Sequence, residues 1–252
     1  MLISLPQFQL FFLALTRIMA LIIHIPVLAG PAIPNPMKIA LGSILAMITL
    51  PWTPLPSDAV AQSLFPFSVA IGQELLIGTL AGFAATLTFG AVQIAGDMMD
   101  TSLGFSAGRL FNPALENPGA VGQQFFSMLA AALFLVTNGH HLFLIGLQKT
   151  FTIAPLNAAL PQLDAEPLLT LAGGLIAAGI QLSLPVVAAA LLTEVTLGLL
   201  ARVAPTLQVF FLGMPLKAGL GLLALTLTLT TILPTLTATL HMISQWMLEL
   251  IS

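Results

Sequence analysis

Long apolar stretches separated by clusters of Pro, Gly, Asn and charge divide the chain into six hydrophobic segments, and their lengths predict helices throughout. The first, residues 8–28, ends in the run 29–36, where three prolines remove backbone donors and forbid helix continuation. The second, 37–50, is short and stops at Pro51, Pro54 and Pro56, with Trp52 suited to a membrane interface. Residues 65–95 form a third segment of about 46 Å, more than the ~30 Å of a hydrocarbon core, so it must tilt, kink or protrude. The fourth covers 125–136 and continues, past Asn138-Gly-His-His141, toward Leu147. The fifth, 168–200, has Pro185 at its centre and is again too long for a straight crossing. The sixth is 209–233. Beyond Pro234, apolar Leu236, Leu240, Ile243, Met247 and Leu250 keep a helical period over about 24 Å, which need not span.

This pattern predicts an all-α polytopic membrane protein, and composition agrees. Apolar residues make up 58% of the 252 and charged residues 6%, against roughly 25% charged in soluble domains. Too few charges remain to coat an aqueous domain, so residues 1–252 read as one integral membrane domain. A net charge of −3 without a basic run excludes nucleic-acid binding. There is no cysteine, hence no disulfide or thiolate chemistry. The first segment lacks the basic n-region and cleavage site of a secretory signal and reads as retained. If each segment crosses once, Lys38, Arg109, Arg202 and Lys217 fall on one side and Lys149 on the other, which puts the former in the cytoplasm and both termini outside.

A charge inside a span costs about 2.5–3.5 kcal/mol on insertion scales, so each needs a partner or a function. Glu74, Gly78, Gly82, Thr86 and Gly90 recur every four residues and form one ridge, suited to packing within the chain or to a subunit contact. Asp97 and Asp100 share a face farther along; they could bind a cation or relay protons, or stand solvated beyond the hydrocarbon. Arg17 is the candidate counter-charge for Glu74 or Glu194. Glu194 and Arg202 lie close on a helical wheel but two turns apart, too far to pair directly. His24, His140, His141 and His241 invite bis-His haem ligation, which needs converging ring nitrogens, but adjacent His140 and His141 point apart on a helix and suit an interfacial helix boundary better. No nucleophile elbow, zinc-protease, Walker or dinucleotide motif occurs, so no catalytic residue, metal site or cofactor is expected.

Residues 104–122 differ from their surroundings. Glycine, proline, Arg109 and Glu116 accompany apolar Phe105, Leu110 and Phe111. Irregular backbone with apolar side chains fits a re-entrant loop or plug enclosed by protein, and equally a loop packed at the interface.

Three stretches carry a family resemblance: residues 82–105, with Gly-Asp-Met-Met-Asp at 96–100; Asn138-Gly-His-His-Leu142; and 197–217, with Ala201-Arg-Val-Ala-Pro205. Together they make the chain resemble the FliR family of type III secretion export-gate subunits along nearly its whole length. The resemblance implies a non-enzymatic subunit of the flagellar export gate in the bacterial inner membrane. It would assemble with FliP and FliQ, meet FlhB on the cytoplasmic side, and pass unfolded flagellar subunits. It also implies that 104–122 is a channel plug, carried by Gly104, Phe105, Gly108, Phe111, Pro113 and Gly122. Residues 168–252 would then be a FliQ-like helical hairpin following an N-terminal helical part, 1–167. An injectisome homologue shares these features, and a small-molecule transporter with midplane Glu74, Glu194 and Pro185 is the more distant alternative.

Overall fold

A computed structural model describes residues 5–30, 33–50, 63–105, 121–157, 165–204 and 209–251. The helices are α1 (Leu5–His24), α2 (Pro26–Ala29), α3 (Asn35–Thr49), α4 (Leu64–Leu103), α5 (Val121–Val136), α6 (Gly139–Ile153), α7 (Ala165–Val203), α8 (Val209–His241) and α9 (Ile243–Glu249). All six hydrophobic segments are helical, and no strand occurs among the described residues. The proline clusters that bound segment two are only partly described: residues 31–32 and 51–62, including Trp52, lie outside.

Six crossings were counted only on the condition that each segment crosses once; among the described residues, four helical stretches are long and apolar enough to cross a membrane, or five if α5 and α6 count together. At 15 residues α3 reaches only about 22 Å, short of a hydrocarbon core. The assignment of both termini to the outside rests on that condition of single crossings.

Pro234, read as a segment boundary, does not break its helix and lies inside α8; Pro185 and Pro215, placed within segments, lie inside α7 and α8 as well. Around Pro234, threonine hydroxyls return to backbone carbonyls: Thr235 Oγ1 donates to Thr231 O, Thr237 Oγ1 to Pro234 O and Thr239 Oγ1 to Thr235 O. These are additional bonds to carbonyls of the helical ladder; none of the three goes to Thr230 O, the carbonyl that Pro234 leaves without its N–H donor. Asn138 punctuates instead: with φ 59° it takes the left-handed conformation between α5 and α6.

The chain forms two compact units, each drawing on residues from both sides of 167. The first comprises 1–87, 138–172 and 241–252. Its core is the α1 stripe Leu10, Leu13, Ala14, Arg17, Ile18, Leu21 and Ile22, spaced three and four apart as a buried helical face requires. α1 packs on α3, and α9 packs on α6 with Met247 against Gly146. The second unit comprises 88–137 and 173–240. There the end of α4 buries Ala91, Val92, Ala95, Met99 and Leu103. Phe89 meets Phe134 of α5 edge-on at 5.7 Å, Gly179 of α7 lies against the Ala91 carbonyl, and Gly221 of α8 lies against Leu103.

Candidate functional site

In the first unit, Arg17 is wholly buried and Glu74 is 2% exposed. Arg17 Nε donates to Glu74 Oε2 at 2.5 Å, and Nη1 donates to the carbonyls of Thr150 at 3.0 Å and Ala154 at 2.7 Å. Those carbonyls end α6, where a helix leaves acceptors unpaired and its dipole favours a cation. The guanidinium also lies 4.6 Å from the Phe151 ring centroid, while Nη2 has no partner among the described residues. Glu74 accepts in addition from the Asn157 backbone N–H. One ion pair therefore fastens the end of α6 and the turn after it to α1 and α4.

The ridge that Glu74 heads serves the same junction. A Cβ on Gly78 would collide with the Arg17 carbonyl and with Ala20 Cβ, and one on Gly82 would meet His24 Cβ at 2.8 Å. Thr86 Oγ1 donates to the His24 carbonyl at 2.6 Å. From Glu74 to Thr86 the ridge packs against α1 of its own chain, whereas Gly90 has nothing within 4 Å. Of the two counter-charges offered to Arg17, the structure selects Glu74.

Glu194 pairs instead with Lys217, joining α7 to α8 in the second unit. Lys217 had been counted only as a loop charge; its place within an apolar run was the signal that it needed a partner. The pair lines a cavity of about 400 Å³ with Leu103, Gly104, Gly198, Ala201 and Gly213. Arg202, two turns beyond Glu194, is exposed.

The second unit also holds the two ends of the 104–122 segment. Asp100 is 1% exposed, whereas Asp97 is exposed, so the two carboxylates do not act as a pair. Three residues apart on a helix they diverge by about 60°, enough to place one inside and one outside. Asp100 Oδ1 accepts from Gly122 N–H and Oδ2 from Gln123 N–H, both at 2.8 Å. Gly104, at φ +82°, ends α4. Asp100, Phe105, Gly122, Phe125 and Phe126 line an apolar cavity of about 260 Å³ with Val186 and Leu222. Gly108, Phe111 and Pro113 lie outside the described residues. No group of three or more His, Asp or Glu side chains that could hold a metal occurs among the described residues.

Among the described residues, Arg17 pairs with Glu74 in the first unit, and in the second Lys217 pairs with Glu194 and Asp100 caps the first turn of α5. The model of the bacterial export proteins, family 1, matches residues 8–243. The chain belongs to that family. Within it, the flagellar biosynthetic protein FliR of Pectobacterium carotovorum subsp. carotovorum is 34% identical over 229 residues, covering 89% of this chain and 85% of its own. FliR of Escherichia coli is 34% identical, covering 85% and 82%. The secretion system apparatus protein SsaT of Salmonella typhimurium is also 34% identical, but over 155 residues and 60% of each chain. The FliR resemblance read from the three stretches thus extends over most of this family member.

Proposed function

We propose that this chain is a subunit of the flagellar type III protein export gate, assembled with FliP and FliQ in the inner membrane, with FlhB at its cytoplasmic side. The observation that carries this reading is the match to FliR proteins over more than four-fifths of both chains. The flagellar system is favoured over an injectisome because SsaT matches over only 60% of this chain. Exposed apolar side chains support a subunit role. On α7, Leu184, Leu191, Leu192, Val195 and Leu199 are exposed, and on α8, Phe211, Leu220, Leu223 and Leu227. They suit protein neighbours as well as lipid.

The function is conduction and gating rather than catalysis. Segment 104–122 closes the channel at rest, and an incoming unfolded flagellar subunit or a partner's rearrangement displaces it. The anchoring of this segment by Asp100, Gly104 and Gly122 supports the plug role. The ridge from Glu74 to Thr86 and the buried Arg17 hold the scaffold, while Glu194, Lys217 and Arg202 lie toward the ends of α7 and α8.

Two experiments test this. Affinity purification in mild detergent should bring down FliP- and FliQ-like proteins, and a solitary monomer would overturn the gate. Deleting residues 104–122 should raise the leak of small ions through the assembled gate, and an unchanged leak would overturn the plug.

A further inference from the structure

Asp100 is engaged at both its main chain and its side chain. Its carbonyl accepts the Phe105 N–H at 3.0 Å, and the Gly104 N–H reaches Thr101 O at 3.3 Å. With Gly104 at φ +82°, these two bonds form the Schellman turn that closes α4. The carboxylate meanwhile takes the Gly122 and Gln123 N–H groups in the first turn of α5. Those donors have no partner within their own helix, and a side chain just before the helix ordinarily satisfies them. Ala120 has no side-chain oxygen for the task. A residue on another helix supplies it, with a full negative charge at the positive end of the α5 dipole.

Two glycines let the helices come this close. A Cβ on Gly96 would lie 2.5 Å from Gln123 Cα and 2.9 Å from its nitrogen, and one on Gly122 would lie 2.8 Å from Asp100 Oδ1. One residue thus fixes where the 104–122 segment leaves α4 and where it enters α5.

We infer that Asp100 is a positioning residue that ties the two ends of the 104–122 segment together. The tie stands on this geometry alone; its bearing on leakage rests on the plug reading. A carboxylate cap is replaceable in kind: Asn keeps one acceptor, and Ala keeps none. Loss of the cap should raise opening of the first turn of α5 by roughly 5- to 30-fold.

The test uses the full chain purified with its partners. Arg109 is the one Lys or Arg between Lys38 and Lys149, so tryptic cleavage there reports on the segment and yields a distinct pair of fragments. Asp100→Ala should speed cleavage at Arg109 relative to Lys149 about tenfold, and Asp100→Asn should lie between it and the parent. Normalising to Lys149 separates release of the segment from general unfolding, which would raise both. Gly122→Val leaves the carboxylate in place but fills its approach, and should reproduce the alanine effect. Unchanged Arg109 cleavage in both Asp100→Ala and Gly122→Val overturns the tie. Faster cleavage with an unchanged ion leak keeps the tie and overturns the plug; faster cleavage with a raised leak supports both.

Discussion

Replacing Arg17 by Leu leaves Glu74 in a site where its side chain is 3% exposed and that of Arg17 was 0% exposed. Removing one member of a buried ion pair costs about 3–5 kcal/mol, because the remaining charge is desolvated and uncompensated. The carbonyls at the end of α6 lose their donor too. Thr150 O keeps the Ala154 N–H at 3.0 Å, so the stranded acceptor is Ala154 O, worth about 1–3 kcal/mol. We expect Arg17→Leu to lose about 4 kcal/mol or more. Adding Glu74→Leu removes the stranded charge along with the acceptor of the Asn157 N–H, which belongs to an exposed residue, so the double variant should fall only about 1–3 kcal/mol below the parent, chiefly the share of the Ala154 carbonyl. The sign is the informative part: a second substitution that restores stability. Unfolding by SDS in mixed micelles, followed by fluorescence of Trp246 on α9 in a Trp52→Phe background and extrapolated linearly, gives the three free energies. A double variant as unstable as Arg17→Leu, or more so, would refute the pairing as the reason Arg17 is tolerated at full burial.

Three further outcomes follow from the packing. Gly78→Val should destabilise by about 1–3 kcal/mol because the Arg17 backbone and Ala20 stand in its way, while Gly90→Ala, facing open space, should be neutral or gain about 0.5–1 kcal/mol from helix propensity; the same SDS titration separates them. Asn138→Val should cost about 1–2 kcal/mol for forcing a β-branched residue to φ 59°, and Asn138→Gly should be tolerated, as read from thermal unfolding in detergent. Lys217→Met should change the stability of the isolated chain by less than about 1 kcal/mol, because Glu194 is 53% exposed and keeps its solvation; a larger loss in the same melting experiment would mean the pair is shielded.

Much of the helical skeleton was legible because it depends on local composition. The face that Asp97 and Asp100 were read to share implied helical structure beyond residue 95, and α4 runs on to Leu103. The unbroken α8 did not follow from Pro234, which reads as a boundary in the sequence and lies inside the helix. Pairings were the least legible part. Glu74 stands 57 residues from Arg17, and the donors to Asp100 are 22 and 23 residues away. A periodicity argument places a charge on a face but not against its partner. It likewise placed Asp97 and Asp100 together, although α5 covers one and leaves the other exposed. Gly96 and Gly221 were missed because a single glycine in a Gly-rich chain carries no signal until a neighbour's side chain or backbone is seen against it.

The last long stretch, Phe211–Glu249, has only 11% of its most apolar window buried by its own chain. A helix so thinly covered makes the subunit's lifetime a matter of supply. Synthesised ahead of its neighbours, the chain must leave this surface to lipid or to membrane proteases; synthesised with them, it is withdrawn from both. If the chain assembles as proposed, a copy made in excess of its neighbours would keep this surface uncovered.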